Sequence, residues 1–181
     1  MNLPNKLTLA RVIMIPLFVV FLLADFGWGC EKWIALGLFA AASATDFQDG
    51  YIARKNNLIT TFGKFMDPLA DKLLVTSAMI CLTGLGILPA WVSIIIIARE
   101  FTISGFRLVA ADHRVVIAAS MWGKWKTFIQ MIMVMLMIVN LPELEIVTQI
   151  FMWASIALTL ISLADYLIKN REAFWVGDAK E

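Results

Sequence analysis

The amino-acid sequence predicts an all-α integral membrane protein, in which six transmembrane helices surround a polar cavity that opens to the cytoplasm. Of its 181 residues, 61% are hydrophobic and only 16% are charged, and the mean hydropathy is +0.82. Water-soluble domains carry about 25% charged residues, so this composition indicates a chain that folds in lipid. The charged residues cluster in short segments between long apolar stretches, and these stretches give the number of membrane crossings.

Six apolar stretches are each long enough for a helix that crosses the membrane. About 20 residues, at 1.5 Å each, cover the roughly 30 Å of hydrocarbon. The stretches comprise residues 7–24, 33–54, 61–86, 89–110, 118–140 and 147–168. The first is the least regular, because Lys6 and Arg11 fall near its start. A short amphipathic helix in the membrane interface at residues 3–11 is the alternative for that segment.

The positions of lysine and arginine predict the orientation, because cytoplasmic loops of membrane proteins are enriched in these residues. With the N-terminus in the cytoplasm, 14 of the 15 Lys and Arg residues lie on the cytoplasmic side, and only Lys32 lies outside. We therefore expect a multi-pass protein of the cell membrane with both termini in the cytoplasm. No separate soluble region is evident, so residues 1–181 are expected to form a single membrane domain.

Four aspartates, Asp46, Asp49, Asp67 and Asp71, lie at the predicted cytoplasmic ends of the second and third helices. An ionised side chain in hydrocarbon costs about 3 kcal/mol or more, so acidic residues there indicate function. Residues three or four apart share a helix face, and the short connection makes the two helices neighbours, so the four carboxylates can converge. Converging carboxylates repel one another unless cations neutralise them, which predicts a site for Mg²⁺ or Mn²⁺.

The spacing of these aspartates matches a known signature. From Asp46 to Asp71 the sequence reads D-x-x-D-G-x-x-A-R, then eight residues, then G-x-x-x-D-x-x-x-D. With every defined position present, the chain resembles the CDP-alcohol phosphotransferase family over most of its length. The resemblance implies transfer of a substituted phosphate from a CDP-linked lipid to an alcohol, with release of CMP.

The resemblance also implies a role for each residue of the signature. Asp46, Asp49 and Asp67 would bind metal ions, two in all, while Asp71 would complete the second site and act as the catalytic base. The nucleotide pocket would be formed by Asp49, Gly50, Ala53, Arg54 and Gly63. The expected partners are CDP-diacylglycerol as the donor, membrane lipids and a second copy of the chain in a homodimer. We expect no nucleic-acid partner.

Cationic residues of the fourth and fifth helices predict the acceptor alcohol. Arg99 and Arg107 lie eight residues apart on one helix face, and Lys124 and Lys126 open the next helix from the same side. A dianionic phosphate on the acceptor accounts for this surplus of positive charge better than an uncharged alcohol does. These segments also look like those of family members that use sn-glycerol 3-phosphate. The alternatives are contact with lipid headgroups, or a structural ion pair between Arg99 and Glu100.

Other functions fit part of the pattern. A cardiolipin synthase of the same family would accept phosphatidylglycerol and need a second lipid-accessible groove, and a synthase with an inositol phosphate acceptor is a weaker rival. A small cation transporter or channel would use the four aspartates as an ion path, although transporters place such residues near the membrane midplane. A transporter would also leave the small residues Gly50, Ala53 and Gly63 unexplained.

Overall fold

A computed structural model of the protein describes residues 3–55, 61–112 and 121–169, and its regular structure in these ranges is entirely helical. The helices are α1 (Leu3–Leu23), α2 (Glu31–Lys55), α3 (Thr61–Gly84), α4 (Ala90–Asp112), α5 (Met121–Val139) and α6 (Glu145–Lys169), with a short 3-10 turn at Pro142–Leu144. Each α-helix coincides with one of the six predicted apolar stretches to within a few residues. The all-α class predicted from the composition is therefore confirmed.

The first helix, α1, is continuous over its whole length, although Pro16 lies inside it. Thr8 and Arg11, in the segment where a separate N-terminal helix was the alternative, are almost completely buried. The Nε of Arg11 donates a hydrogen bond of 3.2 Å to the backbone carbonyl oxygen of Ala42 in α2. Residues 3–11 therefore do not form a separate helix, and the cation that suggested one packs against α2.

The chain divides into two compact units. Their bounds are Met1–Pro89 with Val134–Glu145 for the first unit, and Ala90–Met133 with Ile146–Glu181 for the second. In the first unit α1 contacts both α2 and α3, and α2 contacts α3. The rings of Phe18 and Phe39 meet between α1 and α2 with their centroids 5.6 Å apart. Ala35 and Ala42 of α2 are fully buried, and such small residues let neighbouring helices approach closely.

The connection between α1 and α2 is held by Glu31, the first residue of α2. Its Oε1 accepts hydrogen bonds from the backbone N–H groups of Phe26, at 3.1 Å, and Trp28, at 2.7 Å. Gly27 and Gly29 have φ values of 75° and 71°, which glycine adopts without strain. Hydrogen bonds from backbone N–H groups, that of Glu31 itself first and then that of Trp28, hold the pKa of the Glu31 carboxyl below its ordinary value.

In the second unit, α6 has the polarity of a helix that lies in lipid. Its hydroxyl residues Ser155, Thr159 and Ser162 are fully buried. Its exposed large apolar side chains are Ile146, Val147, Ile150, Trp153, Leu160, Ile161, Leu167 and Ile168, and its exposed polar residues Glu145, Gln149 and Lys169 lie towards its two ends. A surface helix of a water-soluble protein shows the reverse arrangement, with polar residues outside and apolar residues inside. The exposed apolar face of α6 therefore fits a hydrocarbon solvent.

Helix length and composition also indicate a membrane protein. Among the described residues, Met121–Val139 and Pro142–Lys169 are long and apolar enough to cross a membrane. Thr8–Leu23 and Lys72–Gly84 are apolar but shorter. An integral membrane protein is consistent with these segments, whereas the number of six crossings and the orientation stay predictions.

Candidate active site

The four aspartates of the signature lie on helical backbone. Asp46 and Asp49 belong to α2, and Asp67 and Asp71 belong to α3. The helical spacing assumed from the sequence is therefore observed for the backbone, and the two helices are neighbours in the first unit. The side chains predicted to bind metal or nucleotide, or to act as the base, lie outside the described part of the structure: Asp46, Asp49, Gly50, Ala53, Arg54, Gly63, Asp67 and Asp71. Their roles stay predictions.

The donor set of this signature suits hard divalent cations. Mg²⁺ and Mn²⁺ prefer carboxylate oxygens, and Mg²⁺ is commonly bound through one or two carboxylates together with substrate phosphates. Among the described side chains, no group of three or more His, Cys, Asp or Glu residues lies close enough together to bind a metal. The four signature aspartates stay the predicted ligands of these ions.

A charged network in the second unit joins α4, α5 and α6. Glu100 of α4 is its centre, because Oε1 of Glu100 accepts a hydrogen bond of 3.1 Å from Nη1 of Arg99 and another from Nζ of Lys126. Nη2 of Arg99 donates a hydrogen bond to the hydroxyl oxygen of Ser162 in α6. The Lys126 side chain is only 1% exposed, and those of Arg99 and Glu100 are 10% and 24% exposed. Two cations, Arg99 and Lys126, thus share the carboxylate of Glu100.

The structure separates the four predicted acceptor residues into two pairs. Arg99 and Lys126 are enclosed and bound to Glu100, as described above, whereas Arg107 and Lys124 are exposed. Arg107 and Arg99 both interact electrostatically with the phenol of Tyr166 in α6, which stacks on Phe106 with the ring centroids 6.5 Å apart. The two arginines, eight residues apart on α4, are thus both close to α6.

The ion pair between Arg99 and Glu100, which was the structural alternative for these residues, is present, and it extends to Lys126. Enclosure of Lys126 by Glu100 reduces its availability to a substrate phosphate, while Arg99 keeps its Nε–H without an acceptor among the described residues. The ion pair and a role of Arg99 in binding phosphate are therefore compatible. Binding of the acceptor by any of the four cations stays a prediction.

Sequence reasoning missed the contribution of α6. Ser162 accepts a hydrogen bond from Arg99, and Tyr166 lies within the electrostatic reach of two arginines, yet neither was singled out. One signal was available, because Ser155, Thr159 and Ser162 follow the spacing i, i+4 and i+7 within the apolar middle of the helix. That spacing puts three hydroxyls on one face, which predicts a polar partner on a neighbouring helix.

Comparison with known protein families identifies the chain. The model of the CDP-alcohol phosphatidyltransferase family matches residues 1–161, which include the whole aspartate signature and the charged network of α4 and α5. The chain belongs to the CDP-alcohol phosphatidyltransferase family. Membership extends across both compact units, since the matched residues include α1 to α5 and most of α6.

Several members of this family resemble the chain over nearly its full length. A CDP-diacylglycerol–glycerol-3-phosphate 3-phosphatidyltransferase of Bacillus subtilis is 48% identical over 95% of this chain and 96% of its own. An enzyme of the same name from Rickettsia bellii is 40% identical, with 96% and 97% of the two chains covered. A probable phosphatidylglycerophosphate synthase of Mycobacterium tuberculosis is 43% identical over 93% of this chain and 81% of its own.

Proposed function

We propose that this protein transfers the phosphatidyl group of CDP-diacylglycerol to sn-glycerol 3-phosphate, giving phosphatidylglycerophosphate and CMP. The observation that carries the proposal is full-length similarity at 40% and 48% identity to phosphatidyltransferases whose names specify both substrates. The complete aspartate signature supports the same chemistry, because the donor's diphosphate needs a site that offsets its negative charge. The enzyme is accordingly a transferase of phospholipid synthesis.

The reaction is a direct displacement at the phosphorus of the phosphatidyl group. A hydroxyl oxygen of glycerol 3-phosphate attacks the phosphorus of the phosphatidyl group, and the bond from that phosphorus to the oxygen of CMP breaks. The hydroxyl proton passes to the carboxylate of Asp71, which acts as the general base. Asp46, Asp49, Asp67 and Asp71 would hold two Mg²⁺ or Mn²⁺ ions. When bound, these ions neutralise negative charge on the diphosphate oxygens and on the departing CMP.

The nucleotide half of the donor would be bound by the remaining residues of the signature. Asp49, Gly50, Ala53, Arg54 and Gly63 would form this pocket. Glycine and alanine leave room for a ligand against the helix backbone, and the guanidinium of Arg54 suits a phosphate oxygen. Cytidine would enter from the aqueous side, while the acyl chains of the donor lie among the helices in the plane of the membrane.

The phosphate of the acceptor would be bound by the cationic groups of α4 and α5. We assign direct binding of this phosphate to Arg99 and Arg107. Both lie close to α6, and Arg99 retains an N–H group for a ligand. Lys124 is exposed and would contribute long-range attraction. The side chain of Lys126 is enclosed, so its role would be indirect: it would bind Glu100, and Glu100 would hold Arg99 in place. Glycerol 3-phosphate carries a dianionic phosphate, which fits the net positive charge of this group.

The proposed setting is the cell membrane, with six crossings, both termini in the cytoplasm and the aspartate signature facing the cytoplasm. The distribution of lysine and arginine supports this orientation. Both substrate types are consistent with it, because glycerol 3-phosphate is water-soluble whereas CDP-diacylglycerol resides in the bilayer. We further propose that residues 1–181 act as one membrane domain and that two copies associate as a homodimer.

The assay that tests this proposal is CMP release by purified protein in detergent with CDP-diacylglycerol and Mg²⁺. Glycerol 3-phosphate, phosphatidylglycerol and unphosphorylated glycerol are supplied in parallel as acceptors, and Asp71→Asn is the matched inactive control. We expect CMP release when glycerol 3-phosphate is the acceptor, and none with phosphatidylglycerol or glycerol. Release with phosphatidylglycerol alone would instead assign the protein as a cardiolipin synthase, and no release with any acceptor would contradict the transferase assignment.

A further inference from the structure

The hydrogen-bond donors around Arg99 are not all used within the protein. Arg99 donates through Nη1 to Glu100 and through Nη2 to Ser162, while its buried Nε–H has no acceptor among the described residues. Ser162 accepts from Arg99, and its own hydroxyl proton has no acceptor in the described part of the chain. Leaving a buried donor without a partner is costly, so two adjacent unused donors beside a positive charge indicate a binding position for an anion.

Gly123 of α5 borders the same position. A Cβ atom added to Gly123 would lie 3.8 Å from Nη2 of Arg99 and 3.8 Å from Oγ of Ser162, and apart from its chain neighbours and the nearby backbone of α5 no other described atom lies within 4 Å. An oxygen atom about 0.8 Å closer to these groups would lie at the ~3.0 Å of an ordinary hydrogen bond. The space beside the glycine therefore faces two polar groups.

We propose that Ser162 and Gly123 form, with Arg99, the position that receives one oxygen of the acceptor phosphate. Arg99 supplies the charge and an N–H group, the hydroxyl of Ser162 donates a second hydrogen bond, and Gly123 keeps the space free of a side chain. Gly123 itself is partly exposed. This inference rests on the proposed function, because it assigns two further residues to the acceptor site of the same reaction.

The geometry also explains why Arg99 is held from two sides. Glu100 fixes Nη1 and Ser162 fixes Nη2, which orders the planar guanidinium before the substrate arrives. An ordered guanidinium loses less entropy on binding phosphate than a mobile one, so the site is preorganised. Ser162 thus has two roles, since its oxygen positions Arg99 and its proton remains for the ligand.

The decisive experiment measures steady-state kinetics for both substrates in Ser162→Ala, Ser162→Thr and Gly123→Ala. Loss of a hydrogen bond to a charged group is expected to raise the KM for glycerol 3-phosphate about tenfold or more in Ser162→Ala. The KM for CDP-diacylglycerol should change less than about twofold, because both hydrogen bonds that are lost, the one to the acceptor and the one that orders Arg99, belong to the acceptor position. Ser162→Thr, which keeps the hydroxyl, should recover most of the affinity for glycerol 3-phosphate.

Gly123→Ala tests the position independently of the hydroxyl. The added methyl group meets its neighbours at ordinary contact distance, so the variant should fold, yet the methyl occupies the space that the phosphate oxygen needs. We expect a rise in the KM for glycerol 3-phosphate at least as large as in Ser162→Ala. Inorganic phosphate should inhibit the wild-type enzyme competitively against glycerol 3-phosphate and inhibit both variants more weakly.

The control is Ser155→Ala, which removes an equally buried hydroxyl from the same face of α6, seven residues before Ser162. It should leave both KM values unchanged. A normal KM for glycerol 3-phosphate in Ser162→Ala and Gly123→Ala, or an equal rise in both KM values, would overturn the assignment while the proposed function still held. Absence of turnover with glycerol 3-phosphate in the wild-type enzyme would instead overturn the function itself.

Discussion

Replacement of Glu100 by glutamine is expected to destabilise the second unit more than any other single change of charge in the network. The ammonium of Lys126, whose side chain is 1% exposed, is bound to the carboxylate of Glu100. Glutamine preserves the size of the side chain and removes its negative charge. Lys126 and Arg99 would then face each other as two enclosed cations without the carboxylate between them.

The size of the effect follows from the enclosure of these groups. Removing one partner of a buried ion pair costs about 3–5 kcal/mol, because the other charge stays in a poorly solvated place. Glu100 is 24% exposed, so water screens part of the loss and the lower limit of about 3 kcal/mol applies. For a chain of this size, 1 kcal/mol changes the melting temperature by roughly 2–4 °C. The expected decrease is therefore roughly 6–12 °C.

The assay is thermal unfolding in detergent, followed by tryptophan fluorescence. Trp91 and Trp153 of the second unit pack with their ring centroids 5.8 Å apart, so separation of α4 and α6 changes their emission. The matched control is Lys169→Met, which breaks an ion pair of 2.6 Å between Asp165 and a lysine whose side chain is 66% exposed. Exposed pairs contribute about 1 kcal/mol at most, so this variant should melt within a few degrees of the wild type.

Lys126→Met completes the comparison. In that variant Glu100 still accepts the hydrogen bond from Nη1 of Arg99, so the decrease in melting temperature should be smaller than for Glu100→Gln. The double variant should regain part of the stability that Glu100→Gln loses, because the enclosed ammonium is absent. A Glu100→Gln variant that melts within about 2 °C of the wild type, or no lower than Lys169→Met, would refute this account of the network.

Three further predictions concern the catalytic residues, the metal and the loop between α1 and α2. Asp71→Asn should abolish CMP release while CDP binding, followed by calorimetry, remains within a few-fold of the wild type; near-normal turnover would exclude Asp71 as the base. Treatment with EDTA should abolish CMP release, and Mg²⁺ or Mn²⁺ should restore it; turnover that persists without divalent cations would contradict the metal site. Because the pKa of Glu31 is lowered, its stabilising hydrogen bonds are fully present above the ordinary glutamate value of about 4.3 and are lost as the pH falls through the lowered pKa. Hydrogen exchange, corrected for the intrinsic rate, should show protection of the Phe26 and Trp28 amides near neutral pH that disappears in strong acid, and Glu31→Gln should show no such pH dependence in the same measurement.

The helices could be predicted from the sequence because their signal is local. Each apolar stretch has the length of a membrane crossing, and the helix ends depend mainly on nearby charged and turn-forming residues. The aspartate signature is likewise confined to 26 consecutive residues, from Asp46 to Asp71, so its spacing could be compared with a known family. Family membership followed from these features and is confirmed by the match to residues 1–161.

The parts that could not be predicted depend on contacts between distant helices. Arg11 looked like an interfacial cation, because its partner is a backbone carbonyl group 31 residues away. The bond from Arg99 to Ser162 spans 63 residues, and it depends on how α4 and α6 are rotated about their axes. Helical periodicity places hydroxyls on one face of α6, but it does not say which helix that face meets.

The enclosure of Lys126 has the same physical origin. In the sequence, Lys124 and Lys126 are two similar lysines near the start of one helix. They are two residues apart and therefore point in different directions, and only Lys126 meets Glu100. The structure thus distinguishes an enclosed lysine from an exposed one, a difference that neither composition nor spacing contains.

The most direct test of the central claim is the identity of the two products, determined by mass spectrometry after reaction of CDP-diacylglycerol with sn-glycerol 3-phosphate and Mg²⁺. Attack on the phosphorus of the phosphatidyl group predicts phosphatidylglycerophosphate and CMP in equal amounts from the wild-type enzyme, and neither product from Asp71→Asn. Attack on the other phosphorus of the diphosphate would give phosphatidic acid and a cytidylyl derivative of glycerol 3-phosphate. Detection of those products, or of no product, would contradict the proposed transfer.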